Sequence, residues 1–290
     1  MKYSFGSWAL AFGPYSRDPI PLPEIAARLA RAGYHGIEIG GFPPHVTLES
    51  FAGVGARREL TGMLADLNLE VSGYVPDFTS VNPLVPENRQ RYLDLFGRNV
   101  ELCVDLNSPR VRVDTIAAPG SVPDSEYQDA MDRLASLWSE ASAMAAAAGV
   151  RVAWEFEPGF LFNKPSEVVE LYEQVGHPNF QILFDTCHAY VCGVVGERQH
   201  GKRETVPTVA DFLDMLAGRV GHVHLTDADG TLYGDETSTH MPLGEGRIDF
   251  RRLAPRLKAL PGVEWWCVDL AFWPGSWDLI EPSLAFLKSL

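Results

Sequence analysis

RVAWEFEPGFLFNKPSEVVELYEQVGHPNFQILFDTCH, residues 151–188, holds one complete strand–helix–strand unit. Two short β-rich runs, Arg151–Phe156 and Phe180–Asp185, flank an amphipathic segment, Ser166–Val175. Bulky apolar strands of this kind are covered on both faces, and parallel partners need a helical crossover between them. The same alternation continues outward in both directions. Further strands are expected at Tyr3–Trp8, Gly36–Ile39, Glu70–Tyr74, Arg110–Asp114, Val220–Leu225 and Trp265–Asp269. The remaining helices are expected at Pro23–Ala32, Ser50–Leu67, Glu87–Asp105, Asp124–Ala148, Val209–Ala217, Phe250–Leu260 and Leu279–Leu287. Eight such pairs without a linker or a composition break predict an α/β fold, a single (β/α)8 TIM barrel spanning residues 1–290 as one domain. A doubly wound sheet would call for a glycine-rich phosphate loop after the first strand, and Gly6 and Gly13 do not make one.

Strand parity then becomes informative, because a charge facing the helix layer would be buried without a partner. In RVAWEFEP, Val152, Trp154 and Phe156 share one face and Ala153, Glu155 and Glu157 the other, so both glutamates point into the barrel mouth. By the same rule His222 and His224 face inward in GHVHLTD, Asp269 in EWWCVDL, Arg112 and Asp114 in PRVRVDT, and Glu38 in HGIEIG. Asp185 ends its strand, with His188 in the turn beyond. A lone strand-end acid often caps the next helix, and a lone inward histidine is often a hydrogen-bonded core residue. Glu155, Asp185, His224 and Asp269, however, come from four successive strands and meet at one mouth. Carboxylates gathered there repel one another unless a cation joins them. Three carboxylates and one imidazole suit one divalent ion, with Mn²⁺ expected and Mg²⁺, Co²⁺ or Zn²⁺ as alternatives.

Composition narrows the partners. With 24 basic and 38 acidic side chains the formal charge is −14, which disfavours a nucleic-acid backbone as partner. A hydrophobic content of 46% is ample for a core, and no apolar run approaches the length of about 18 residues that a membrane span needs. The start of the chain lacks a signal-peptide pattern, and Cys103, Cys187, Cys192 and Cys267 form no CxxC pair, so a reducing cytoplasm is the expected location.

Three segments carry a resemblance: LFDTCHAYVCG from Leu183, GHVHLTD from Gly221 and HMPLGEGRIDFRRLAPRLKAL from His240. They resemble motifs of the xylose-isomerase-like TIM-barrel superfamily, which takes in ketose 3-epimerases, hydroxypyruvate isomerases, inosose and dehydroshikimate dehydratases, and three-zinc AP endonucleases. The resemblance implies a metal held by Glu155, Asp185, His224 and Asp269, the last standing where the sugar epimerases carry glutamate. It also implies that His188 contacts substrate oxygens. The chain departs from the epimerase pattern at Leu161 and Gly230, where those enzymes carry a substrate-binding glutamate and an arginine. His240 resembles a second-metal histidine of the endonucleases, but Ser238 replaces its partner aspartate, so His240 is read as a substrate-side residue.

Such a site offers enolisation: an ion stabilises an enediolate while a carboxylate or imidazole moves a proton on carbon. The expectation is a divalent-metal-dependent sugar or keto-sugar isomerase or epimerase. Glu155, Asp269, His188 and Glu157 are its catalytic candidates, and Arg112, His222, His240, Lys164, Glu38 and Trp8 its substrate-binding ones. Aromatic rings expected around the mouth are Trp8, Phe42, Phe160, Phe162, Trp273 and Trp277. The main alternative is a lyase of the same fold, an inosose-type dehydratase or a deglycosidase of 3-oxo-glycosides acting by β-elimination. Phosphodiester cleavage in abasic DNA is disfavoured by the charge and by Ser238. The aromatic segment AFWPGSWDL, residues 271–279, is a candidate contact between copies in a homo-oligomer.

Overall fold

The computed structural model describes all 290 residues. Eight parallel strands form the barrel: β1 (Lys2–Phe5), β2 (Gly36–Gly41), β3 (Glu70–Pro76), β4 (Arg110–Val113), β5 (Arg151–Glu155), β6 (Phe180–Asp185), β7 (Val220–Leu225) and β8 (Trp265–Val268). From β2 to β8 each strand pairs with the next, and β1 pairs with β8 in the register Lys2 with Trp265 through Phe5 with Val268. A parallel bridge between Gly6 and Glu38 closes the ring between the first two strands. The expected barrel is the observed fold.

Eight helices wrap the strands: α1 (Leu22–Ala32), α2 (Val54–Asp66), α3 (Arg89–Asp105), α4 (Tyr127–Ala147), α5 (Pro165–Val175), α6 (Val209–Met215), α7 (Phe250–Lys258) and α8 (Ile280–Ser289). The first shows why they form where they do. Pro23 lies in its first turn, Leu22, Ile25, Ala26 and Leu29 make one buried stripe, and Gly33 at φ 91° ends it in the left-handed conformation that glycine adopts without penalty. No helix is long and apolar enough to cross a membrane.

The main core lies between barrel and helices, where Val111, Val152, Trp154, Ile182, Phe184, Val223, Trp266 and Val268 face outward. Inside the mouth the only apolar cluster is Trp8, Val75, Cys267 and Ala271. Stability is therefore carried by the outer layer, which leaves the lumen free for polar groups.

Three departures from the expected elements matter at the mouth. The first strand stops at Phe5 rather than Trp8, and Ser7–Leu10 form a 3₁₀ turn. There the Trp8 ring folds back over Gly6, where a Cβ would come within 2.5 Å of it, and Ser7 Oγ accepts the Gly40 N–H at 2.8 Å. Second, α2 begins at Val54 rather than Ser50, because Thr47 and Ser50 hydrogen-bond each other's backbone N–H groups in a turn. Third, two elements were not expected. After β6 a helical turn, Thr186–His188, runs into a π-helical segment, Ala189–Val195, and a hairpin pairs Leu232–Tyr233 with Thr237–Ser238.

Trp138 of α4 is fully buried against Trp154 and Phe180, with ring centroids 5.6 Å from each, and its Nε1–H donates to Tyr92 Oη at 3.1 Å. Trp138→Ala is expected to lower unfolding free energy by about 3–5 kcal/mol in denaturant titration. A loss below about 1 kcal/mol would show that the layer repacks around the gap.

Candidate metal centre and active site

Four strands deliver one cluster. Glu155 ends β5, Asp185 ends β6, His224 lies one residue before the end of β7, and Asp269 follows β8. One ligand atom from each lies within 4.8 Å of all the others, and all four residues are buried. The atoms are held in different ways. Asp185 Oδ1 accepts the His188 backbone N–H at 2.9 Å. Asp269 Oδ1 accepts the Trp8 Nε1–H at 3.0 Å and the Ala271 N–H at 2.8 Å, so its Oδ2 is left facing His224 Nδ1 at 3.7 Å. Glu155 Oε1, Asp185 Oδ2 and His224 Nδ1 have no hydrogen-bond partner, although Nδ1 is only 2.9 Å from Glu155 Oε1. Buried polar atoms are rarely left unsatisfied. Three of them facing one point, together with Asp269 Oδ2, fit the donor set of a divalent cation.

The charges around that point are strongly perturbed. Burial raises Asp185 well above the usual carboxylate range, and the charges of Glu155 and Asp269 add to it. Burial acts the same way on Glu155 but is outweighed by the Arg112 guanidinium and His224, which hold it below its ordinary value. Burial would lower His224, yet the carboxylates of Glu38 and Glu155 raise it well above an ordinary histidine. Arg112 is the local counter-charge: Nε contacts Glu155, Nη1 lies 3.1 Å from Asp114, and Nη2 lies 3.3 Å from Glu157. Glu157 Oε2 accepts from Thr237 Oγ1 at 2.5 Å, and burial pushes this carboxyl up to about 7.

A cavity of about 460 Å³ opens above the cluster. Trp8, Phe12, Phe42, Phe160 and Phe272 wall it, and Arg112, Glu155, Glu157, His188, His240 and Asp269 supply its polar groups. His188 Nδ1 and Ser238 Oγ share a hydrogen bond at 2.9 Å, which turns the other ring nitrogen free of the hairpin. Both His240 nitrogens lack a partner, and its ring stands edge-on to His188 with centroids 5.1 Å apart.

Other candidates lie elsewhere. Glu38 and His222 are outside the cavity lining and bond each other through Glu38 Oε2 and His222 Nε2 at 2.6 Å, with Glu38 also reaching His224 Nε2. Neither is placed to touch substrate in the cavity, because each occupies the other. Lys164 also lies outside the cavity, at the start of α5, where its ammonium pairs with Glu167 at 3.1 Å. Among the expected aromatics, Phe162 packs on Tyr127 in the core, Trp277 lies under the Arg28 guanidinium, and Trp273 is not in the lining. Phe12, Phe272, Arg198 and Thr237 line the cavity without having been singled out from the sequence. Phe272 follows Asp269 by three residues and was within reach of a strand-end search; Thr237 arrives on a hairpin that gave no signal.

An eight-stranded parallel barrel with a carboxylate–imidazole cluster at the C-terminal ends of its strands defines the class of molecule. The chain belongs to the xylose isomerase-like TIM barrel family, whose profile matches residues 26–290. Among solved structures it is similar to a D-tagatose 3-epimerase-like protein, at 21% identity over 100% of this chain and 96% of the other, with a TM-score of 0.76. It is also similar to the probable 3-DHS dehydratase AsbF of Bacillus anthracis, at 17% identity over 99% of both chains, with a TM-score of 0.74. A third is the IOLI protein with a bound zinc atom, at 18% identity over 100% and 96%, with a TM-score of 0.71. No curated protein sequence matches the chain.

Two outcomes test the cluster. Asp185→Asn removes one anionic oxygen and is expected to weaken Mn²⁺ binding by at least about 10-fold in calorimetric titration; unchanged affinity would take Asp185 out of the ligand set. Because His224 holds its proton above the usual range in the ion-free protein, a cation must displace that proton. Affinity is therefore expected to rise with pH, and a flat profile would contradict His224 as a ligand.

Proposed function

We propose that the protein is a divalent-metal-dependent isomerase or epimerase of a sugar or keto-sugar. The observation that carries this reading is the cluster of ligand atoms on Glu155, Asp185, His224 and Asp269, the first three of them without hydrogen-bond partners, at the floor of a cavity with protonatable groups on its walls. Mn²⁺ is the ion we assign. When bound there, a divalent ion would draw electron density from neighbouring carbonyl and hydroxyl oxygens and make the adjacent C–H more acidic.

The chain's own residues supply the proton traffic. Glu157, pushed up to about 7, divides between carboxyl and carboxylate near neutrality, so it can take a proton in one direction and return it in the other. Burial holds His188 well below an ordinary histidine, which keeps a neutral imidazole facing the cavity as the second proton carrier. Arg112 fixes Glu155 and Glu157 relative to each other. Trp8 and His240 offer a ring face and unpartnered nitrogens to the substrate. Four free, buried cysteines suit a cytoplasmic enzyme.

A lyase acting by β-elimination is the second reading, and one observation favours it. Both hydrogen bonds to Asp269 converge on Oδ1, which anchors that carboxylate and leaves Glu157, pushed up to about 7, as the acid in the cavity wall. A single protonated acid suits a departing oxygen better than a symmetrical pair of bases does.

Incubation of the Mn²⁺-loaded protein with ketoses, inososes and 3-oxo-glycosides in D₂O separates the two. Deuterium entering carbon without loss of a group supports the isomerase or epimerase. Release of water or an aglycone supports the lyase, and neither event across the panel would count against both. On whichever substrate turns over, Glu157→Gln is expected to lower kcat by about 10²–10⁴-fold. Its cation affinity should stay near wild type, and a variant retaining full kcat would remove Glu157 from the proton path.

A further inference from the structure

We infer that Glu38 is a positioning residue: its carboxylate, reaching from β2 to β7, holds the His224 ring with Nε2 protonated and Nδ1 turned to the ligand cluster. The inference rests on the metal-site reading above. Glu38 is only 1% exposed, and each of its oxygens meets one imidazole. Oε1 lies 3.2 Å from His224 Nε2 and Oε2 lies 2.6 Å from His222 Nε2, while Ser72 Oγ donates more weakly to Oε2 at 3.4 Å.

An ionised carboxylate accepts and cannot donate, so both contacts require a proton on Nε2 of each ring. His222 agrees with this demand, because its Nε2 is the nitrogen that meets Glu38 and its Nδ1 has no partner. In His224 the same demand leaves Nδ1 as the nitrogen that can offer a lone pair. That atom is the one facing Glu155, Asp185 and Asp269. A carboxylate behind a ligating histidine fixes the ring's tautomer and orientation and raises its basicity.

The fold makes room for this contact. The register between β2 and β3 shifts between Ile37 and Glu38, a bulge of the kind that re-aims a side chain. Residue 73 is glycine, and a Cβ there would sit 2.8 Å from Glu38 Oε1 and 3.1 Å from its Cδ. The buried Arg110 guanidinium, donating to the Ser72 carbonyl, places a positive charge in the same layer. Cys267 also lies near Glu38 and His224. It makes no separate cation site, because both Glu38 oxygens already accept from imidazoles.

The test uses Co²⁺ as probe on the full-length protein, with binding followed by calorimetry and visible absorption. Glu38→Gln keeps the size of the side chain but turns an NH₂ group toward one ring nitrogen, so one imidazole must change tautomer or lose its partner. The expected result is about a 10- to 100-fold loss of Co²⁺ affinity. A purely structural role would lower the melting temperature and leave the affinity of the folded variant alone. The wild-type protein gives a second readout that needs no variant to fold. In Zn²⁺-loaded, ¹⁵N-histidine-labelled protein, long-range ¹H–¹⁵N spectra should show His224 protonated at Nε2 with the ion on Nδ1. Folded Glu38→Gln with wild-type Co²⁺ affinity, or an ion on Nε2, would overturn the inference. Wild-type protein that binds no divalent cation is a different result: it would sink the metal-site reading and this inference with it.

Discussion

Mutual repulsion among Glu155, Asp185 and Asp269 is the constraint around which the mouth is organised. Three carboxylates cannot all be ionised in a dry space without positive charge beside them. The protein spreads that charge over two partners. Arg112 lies against Glu155 and reaches Glu157 and Asp114, while His224 sits among all three cluster carboxylates. The residual imbalance shows in Asp185, which is raised well above its ordinary value, and in Glu157 at about 7. Arg112, which by its type could have held an anionic substrate, is thereby committed to the protein's own acids.

The barrel supports this arrangement by separating tasks between its two faces. Outward strand residues such as Trp154, Ile182 and Val268 pack under the helices, where shape and apolar area decide stability. Inward residues are released from that duty, so polar layers can be stacked along the axis. Glu38 and His222 lie beneath the ligand cluster, and the aromatic rings of Phe12, Phe42 and Phe272 stand above it, with Phe12 meeting Phe42 at 4.9 Å and Phe272 at 5.9 Å. Each layer fixes the next, from the Glu38 carboxylate to His224, and from the Trp8 indole to Asp269.

Much of this was legible in the chain because period-two parity is a strict rule in a strand covered on both faces. Ala153, Glu155, His222, His224 and Asp269 could be assigned inward from their neighbours alone, and the convergence of four strand ends followed. Parity says nothing outside strands. Trp8 read as the end of a strand, yet the close approach of its ring to Gly6 ends β1 early. Lys164 read as a mouth cation from its loop position, but Glu167 one turn along α5 claims its ammonium. Glu38 and His222 were rightly inward, but their height along the axis depends on strand stagger, which a single sequence does not encode. The hairpin that brings Thr237 and Ser238 to Glu157 and His188 has strands of only two residues, too short for any periodic signal.

Trp8 and Asp269, joined by a hydrogen bond, stand 261 positions apart, on segments that flank the β1–β8 seam. During synthesis the indole is made 261 residues before its carboxylate partner exists. A contact of such sequence separation forms late, since the entropy of closing the ring must be overcome first. The finished mouth and the closed barrel are thus one event, and a nascent or partly unzipped chain carries an incomplete ligand set. The first and last strands of the barrel act as a clasp whose fastening completes the cluster.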